Sequence, residues 1–211
     1  MKLTKYGHAC FSLEINGKRL LVDPGEMTPD YGGNNNIVAL VITHEHFDHF
    51  NEQYVKQIIA ANPEVKIFTT PEVAQKLNGS IAVKAGDKVE VGAFKLEFFG
   101  QMHQQVHPDF PTCQNIGVMI NNKIYYGGDS FVLPGKPVEL LLAPTSGPWQ
   151  KMSEVMNMIA AIKPKQVVPT HNGLYCDAGQ KIAASWLKML AQKHPFELSE
   201  LGAGESADVL E

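Results

Sequence analysis

The chain has 211 residues, of which 44% are hydrophobic, 19% charged and 9% aromatic. This length suits a single domain, and the apolar content excludes a chain that is disordered throughout. The formal net charge is -4, which argues against a strongly cationic nucleic-acid binder, so no nucleic-acid partner is expected.

Cysteine usage and the amino-terminal sequence indicate a compartment. Cys10, Cys113 and Cys176 are widely spaced and form no CxxC motif, so we expect free thiols in a reducing environment. The first 18 residues contain no apolar run of signal-peptide length, and no stretch approaches the roughly 18 apolar residues of a membrane span. We therefore expect a cytoplasmic protein without a membrane partner; its oligomeric state is left open, a homo-oligomer included.

The first half of the chain is predicted to begin with a β-hairpin and to continue through a buried strand. An Asn16-Gly17 turn separates the two hairpin strands, because both residues tolerate positive φ. The unbroken apolar run Ile37–Ile42 predicts a strand that is buried on both faces. The other predicted elements are a loop at 27–36, a helix with Tyr54, Val55, Ile58 and Ile59 on one face, a strand at 66–69, a short helix at 71–77 and a strand-like stretch at 88–99 interrupted at Gly92.

The second half repeats this order after a segment, 100–115, with little periodicity. A hairpin is predicted around Asn121-Asn122, followed by a buried strand from Val138 to Ala143. The remaining predictions are a helix carrying Val155, Ile159 and Ile162, a strand at 166–169, a last helix with Ile182, Trp186, Met189 and Leu190 on its apolar face, and a loosely ordered tail after about residue 195.

These elements predict one domain, spanning 1–211, in which two sheets stack face to face with helices outside. That arrangement buries the apolar residues of both halves, and no change in composition separates them. A doubly wound parallel sheet fits less well, since the hairpins require antiparallel pairs.

Four side chains able to bind a metal occur within six residues, directly after the predicted buried strand. They are His44, His46, Asp48 and His49, and imidazole and carboxylate are ligands that zinc, manganese and iron accept. A loop running into a helix would let the pair His44 and His46 and the pair Asp48 and His49 turn toward two adjacent points. The spacing indicates a site for two metal ions, and a histidine-rich surface turn is the less favoured interpretation.

This segment resembles the HxHxDH signature of the metallo-β-lactamase-fold superfamily. In addition, Gly7-His8-Ala9-Cys10 followed by Leu21-Val22-Asp23-Pro24 resembles the opening of its small single-domain metal-dependent hydrolases, the lactonase and UPF0173-like branch. The resemblance covers about residues 3–175. It implies an α+β fold, a four-layer αββα sandwich of two mixed β-sheets flanked by helices.

The resemblance also implies the ligand set. One ion would be bound by His44, His46 and His103, and the other by Asp48, His49 and His171, while Asp129 would bridge them. It implies two divalent ions, zinc as the first expectation with manganese or iron as alternatives. A hydroxide held between the ions would be the nucleophile, and Asp48 or Asp129 would carry the proton.

Other residues are candidates for supporting roles. Asp23 could orient a ligand imidazole or serve only as a turn residue before proline. His8, His107 and Trp149 are candidate substrate contacts, with a core group, a loop residue and a packed aromatic as the respective alternatives. No cysteine is predicted to bind metal, although Cys113 follows the 103–109 loop and could line the pocket.

Three functions are compatible with these features. The first is a hydrolase that cleaves a small ester, lactone or phosphodiester with a metal-bound hydroxide. The second is an iron-dependent oxidoreductase or dioxygenase on the same fold, because the mixed histidine and carboxylate set tolerates iron. A non-catalytic metal-binding module ranks last, since all seven ligand positions are filled.

Overall fold

A computed structural model describes residues 1–29, 31 and 33–209 of the chain. The predicted loop at 27–36 and the predicted tail each include residues outside this range. The described strands are β1 (Lys2–Lys5), β2 (Phe11–Ile15), β3 (Lys18–Val22), β4 (Ile37–Ile42), β5 (Lys66–Thr69), β6 (Ile81–Ala82), β7 (Lys88–Val91), β8 (Phe94–Phe99), β9 (Gly117–Ile120), β10 (Ile124–Tyr126), β11 (Leu140–Pro144), β12 (Gln166–Thr170), β13 (Glu197–Leu198) and β14 (Ser206–Asp208). The described helices are α1 (Glu52–Ala61), α2 (Pro71–Lys76), α3 (Met152–Ile162) and α4 (Asp177–Ala191).

The strands form two mixed sheets, each with seven strands. The first sheet has the order β14-β1-β2-β3-β4-β5-β6, and the second has the order β13-β12-β11-β10-β9-β8-β7. Each sheet combines antiparallel hairpins with a parallel run, β3 to β6 in the first and β10 to β13 in the second. The predicted α+β sandwich of two mixed sheets flanked by helices is confirmed.

Three apolar clusters hold the four layers together. The largest lies between the two sheets and includes Leu20, Phe98 and Leu142. A second packs α1 and α2 on the outer face of the first sheet, and a third packs α3 and α4 on the outer face of the second. Burial of these side chains is the main stabilising contribution to the fold. None of the described helices combines the length and the apolar character needed to cross a bilayer.

The start of α1 fixes the segment that follows β4. Asn51 is the N-cap, and its side-chain oxygen accepts the backbone N–H of Tyr54 at 3.0 Å. The helix ends at Ala61, and the backbone N–H of the C-cap residue Asn62 donates to the carbonyl oxygens of Ile58 and Ile59. The chain between Ile42 and Asn51 is therefore held at both ends, by a buried strand and by a capped helix.

The end of the chain differs from the prediction of a loosely ordered tail after about residue 195. Residues 197–198 form β13 beside β12, and residues 206–208 form β14 beside β1, with Lys2 opposite Asp208. Val209 is buried in the core between the sheets. The prediction was wrong because polar, small-residue strands at sheet edges carry little hydrophobic pattern, while their stability comes from pairing with distant strands.

Helix α4 exposes the face that the sequence pattern assigned to the core. Ile182 is 61% exposed, Trp186 47% and Met189 45%, so only Leu190 of the predicted face is buried. The buried face is instead formed by Ala183, Ala184, Leu187 and Leu190. Two of these four side chains are small, so a count of large apolar residues does not find this face.

Candidate metal centre

The parallel strands bring the predicted ligands to one edge of the sandwich. Residues 43–49 follow β4, Asp129 follows β10, and His171 follows β12, so all leave the carboxyl ends of their strands. His103 comes from the excursion after β8, whose base is closed by a bridge between Met102 and Gln114. The backbone N–H of His103 also donates to the carbonyl oxygen of Cys113 at 3.0 Å. Side chains from both sheets therefore meet at this edge.

Six of the seven predicted metal ligands lie in two adjacent groups, and a third group, which contains Asp129 with His44 and His49, overlaps both. In the first, His44, His46 and His103 place ligand atoms within 4.8 Å of one another, with Nε2 of His44 3.1 Å from Nδ1 of His46. The second group contains Asp48, His49 and His171, together with His8. The resemblance implies the same two sets of three, and their binding of two ions stays a prediction.

Asp129 lies between the two groups. Its Oδ2 is 3.3 Å from Nε2 of His103 in the first group and 2.9 Å from Nε2 of His171 in the second. Its Oδ1 lies 3.3 Å from Nε2 of His49. A carboxylate in this position can contact an ion in either group, which is the geometry that bridging requires.

The donor atoms that face the centre lack partners, as expected for a metal site. Nε2 of His49, His103 and His171 and Oδ1 of Asp129 are buried and make no hydrogen bond with the described residues. Buried polar atoms are nearly always satisfied, so four orphaned atoms at one point need an explanation. A divalent cation coordinated by them would supply it, and the residues present fit such an ion.

The other ring nitrogens are held by acceptors, which fixes the direction of each ligand. Nδ1 of His103 lies 2.6 Å from the carbonyl oxygen of Gln104, and Nδ1 of His171 lies 2.5 Å from that of Ser146. A carbonyl oxygen only accepts, so each Nδ1 carries a proton and Nε2 is the nitrogen available to a metal ion. This is the supporting arrangement usual around metal-bound histidine.

Asp23 supports two of the predicted metal ligands, His44 and His49. Its Oδ2 is 2.7 Å from Nδ1 of His49, and it accepts the Thr43 hydroxyl at 2.7 Å and the Tyr126 hydroxyl at 3.1 Å. The Thr43 oxygen in turn lies 3.0 Å from Nδ1 of His44. Asp23 therefore contacts one ligand directly and reaches another through Thr43, in the orienting position proposed for it from the sequence.

The charge at the centre is dominated by carboxylates. Burial opposes ionisation of Asp129, yet the charges of His49 and His171 hold its pKa well below its usual range. Burial likewise opposes ionisation of Asp48, but its contacts with His171 and His8 keep its pKa low. Burial lowers the pKa of His44, so that this ring stays neutral. Burial opposes protonation of His49 and His171, but the Asp129 carboxylate raises the pKa of His49 well above its ordinary value and that of His171 to about 9. A divalent cation bound to these rings would displace the Nε2 proton, since metal ligands must be deprotonated.

Two glycines make room for the ligand backbone. A Cβ on Gly25 would lie 2.0 Å from the carbonyl carbon and oxygen of Asp48. Gly128 has φ +60°, and a Cβ there would lie 2.4 Å from Oδ1 of Asn115. That same oxygen accepts the backbone N–H of Asp129 at 3.0 Å. Neither Gly25 nor Asn115 was predicted from the sequence, because their roles depend on contacts between distant segments.

His8, a candidate substrate contact in the sequence, contacts Asp48 in the structure, and its contact with substrate stays a prediction. The ring is 1% exposed, and its Nδ1 accepts the backbone N–H of Gly173 at 2.9 Å. Burial lowers the pKa of His8, so the ring is neutral and its proton lies on Nε2. That atom is 3.1 Å from Oδ2 of Asp48. Unlike the predicted ligands, His8 therefore directs a donor toward the centre and orients Asp48.

The remaining candidates lie around the centre at different distances. The Trp149 ring is buried, with its centroid 5.6 Å from those of both His103 and His171. The Cys113 sulfur lies 3.6 Å from Nε2 of His46, and burial raises the pKa of this thiol to about 12, so it remains protonated. His107 is exposed on the excursion after β8 and contacts Asp109, so its contact with substrate stays a prediction.

The fold and this arrangement of ligands define a class of protein. The model of the β-lactamase superfamily domain matches residues 2–171, and the chain belongs to this family, the metallo-β-lactamase-fold superfamily. Protein Rv0786c of Mycobacterium tuberculosis is 30% identical over 180 residues, covering 82% of this chain and 85% of that protein. UPF0173 protein PF0020 of Pyrococcus furiosus is 27% identical over 194 residues, covering 84% of this chain and 86% of that protein.

Solved structures share the fold at lower identity. A protein from Parabacteroides distasonis aligns with a TM-score of 0.77 and 21% identity over 94% of this chain and 91% of its own. Igni18, a metallo hydrolase from Ignicoccus hospitalis, aligns with a TM-score of 0.70 and 18% identity over 98% and 97%. CmlA, a diiron β-hydroxylase from Streptomyces venezuelae, aligns with a TM-score of 0.75 and 14% identity, over 99% of this chain and 54% of CmlA. At these identities the likeness shows the fold alone.

Proposed function

We propose that this chain is a metal-dependent hydrolase with a binuclear centre that cleaves a small ester, lactone or phosphodiester. The observation that carries the proposal is the convergence of two ligand groups around Asp129, with four buried donor atoms that lack partners. Relatives from several archaea are named UPF0173 metal-dependent hydrolase, among them one from Aeropyrum pernix that is 38% identical over 102 residues. That match covers 46% of this chain, so it supports the proposal without defining the substrate.

The residues of this chain would divide the work as follows. His44, His46 and His103 would hold one ion and Asp48, His49 and His171 the other, with Asp129 shared. When bound, divalent ions lower the pKa of a water molecule and polarise the oxygen of a carbonyl or phosphoryl group. Asp48 is the carboxylate suited to take a proton, because it is the more exposed of the two, 8% against 2% for Asp129. The His8 hydrogen bond keeps Asp48 in one orientation during this transfer.

A substrate panel on metal-defined protein tests the proposal. Protein loaded separately with zinc, manganese or iron would be assayed with ester, lactone, thioester and phosphodiester substrates. We expect turnover of at least one substrate, its loss with a chelator, and its recovery when the ion is restored. His46→Ala should abolish this turnover, whereas His194→Ala, a change of an exposed histidine outside both ligand groups, should leave it intact.

The same preparations separate hydrolysis from the alternatives. Iron retained after anaerobic purification, with oxygen consumption and no cleavage, would replace the hydrolase with an oxidoreductase. Full metal occupancy with no turnover of the panel would instead support a non-catalytic metal-binding module. The likeness to the diiron β-hydroxylase does not favour the oxidoreductase by itself, since it rests on shared fold.

A further inference from the structure

A cavity of about 520 Å³ lies next to the metal centre, and none of the seven candidate metal ligands lines it. It is bounded by β1, the loop after β3, the segment after β12, the first turns of α4 and residues 200–203. His8 forms the wall that the cavity shares with the metal centre. Its volume falls in the range of small-molecule sites, roughly 300–1,000 Å³.

Lys5 places a buried positive charge on this cavity. The residue is only 3% exposed, and its Nζ donates to Oδ1 of Asn172 at 2.7 Å. Within the described part of the chain, no carboxylate lies within 4.0 Å of this ammonium. Burial alone lowers its pKa to about 8, with no acidic neighbour opposing the shift. The group is therefore mostly charged at neutral pH, and a buried charge without a counter-ion is costly unless a ligand supplies one.

The polar groups beside Lys5 are already oriented. Nδ2 of Asn172 donates to Oε1 of Gln180 at 3.0 Å, which turns the amide oxygen of Asn172 toward Lys5. Gln180 is held in turn, because its Nε2 donates to the carbonyl oxygen of Tyr175 at 3.0 Å. An ammonium has three donors, and this network uses one of them. Two donors of Lys5 remain for a bound anion.

The other charges on the cavity leave a positive excess. Glu200 is paired with Lys188 at 2.6 Å. Asp177 lies in the first turn of α4, where a negative charge is favoured by the helix dipole. Lys181, on the same helix, adds a second positive charge to the lining. Two lysines therefore face one carboxylate that is not paired elsewhere.

We propose that this cavity binds a small organic anion, with its carboxylate or phosphate on Nζ of Lys5 and its apolar part against Met27, Leu187 and Leu201. These three side chains give the cavity an apolar wall. The site does not depend on the proposed hydrolysis, because it shares no ligand residue with the metal centre.

Titration of the full-length, metal-loaded protein tests the site, with sodium hexanoate and inorganic phosphate as separate probes. Binding would be followed by NMR through the side-chain resonances of selectively labelled lysines. We expect hexanoate to shift the Lys5 resonance, and Lys5→Met to weaken hexanoate binding by about tenfold or more, since a charge-assisted hydrogen bond is lost. Lys2→Met, an exposed change on the same strand, should leave the affinity unchanged.

The two probes identify the anionic group. Tighter binding of hexanoate indicates a carboxylate with an apolar body, and tighter binding of phosphate indicates a phosphate group; in each case Lys5→Met must weaken it. The proposal is overturned if Lys5→Met keeps wild-type affinity for both probes. It is equally overturned if saturating probe leaves the Lys5 resonance of the wild-type protein unmoved, a result that does not depend on how the variant folds.

Discussion

Gly25→Ala is expected to disrupt the half of the centre formed by Asp48 and His49 without touching a ligand side chain. The added Cβ would lie 2.0 Å from the carbonyl carbon and oxygen of Asp48 and 2.4 Å from the nitrogen of His49. Ordinary contact begins near 3.4 Å, so the two backbones must separate by about 1.4 Å. The atoms in conflict are backbone, which cannot rotate away as the end of a side chain can.

This displacement is large on the scale of metal coordination. Ligand distances tolerate about 0.2 Å, and loss of supporting contacts around a ligand typically lowers metal affinity about 10–100-fold. We therefore expect Gly25→Ala to lower affinity for the second ion by about 100-fold. Overpacking of this kind should also cost about 1–3 kcal/mol of unfolding free energy.

Calorimetric titration of the apoprotein with zinc, together with the metal content of the purified protein, measures the effect. Gly202→Ala is the matched control, because its Cβ would lie 3.4 Å from the flexible Glu205 side chain. Circular dichroism checks that both variants fold. The reasoning is refuted if folded Gly25→Ala binds two ions with wild-type affinity.

Three further changes test separate parts of the structure. His46→Ala should remove one ion and abolish turnover, yet change the unfolding free energy by only about 1 kcal/mol, because the ring is exposed. Metal analysis measures the loss of the ion, and denaturant melts measure the unfolding free energy. Full activity of the variant would exclude His46 as a ligand. Asp129→Asn should weaken both ions together, and calorimetry showing loss of only one would mean that Asp129 does not bridge. Lys5→Met should raise the unfolding free energy near neutral pH by about 3 kcal/mol, since the folded pKa of about 8 lies below the ordinary 10.5. The destabilisation by the charged lysine is complete below pH 8 and fades as the pH rises toward 10.5. The difference in unfolding free energy between Lys5→Met and the wild-type protein should therefore be smaller in denaturant melts at pH 10.5 than at pH 7. A difference that is the same at both pH values would falsify this assignment.

Much of the fold could be predicted from local patterns. The Asn16-Gly17 turn, the apolar run Ile37–Ile42 and the strand at 66–69 are each encoded by neighbouring residues, and each occurs as predicted. The edge strand β14 could not be found in this way, because it is stabilised by pairing with β1, about 200 positions away. The buried face of α4 was missed because two of its four members, Ala183 and Ala184, are small and contribute little to an apolar pattern.

The candidate site also combines residues that could be predicted from local sequence with residues that could not. His44, His46, Asp48 and His49 are close in sequence, so their spacing alone predicted a metal centre. The contribution of His103 depended on family resemblance, because the excursion that carries it has no periodic pattern. The role of His8 could not be read from the sequence at all. It depends on the N–H of Gly173, 165 residues away, which decides which ring nitrogen carries the proton.

The position of Trp149 makes the metal centre observable by fluorescence. The chain has two tryptophans, one buried against the His103 and His171 rings and the other, Trp186, exposed on α4. A collisional quencher dissolved in water reaches Trp186 far more readily, so the emission that survives comes from the indole beside the ligands. Adding zinc to the quenched apoprotein would then report occupancy directly, with neither a coloured ion nor a known substrate.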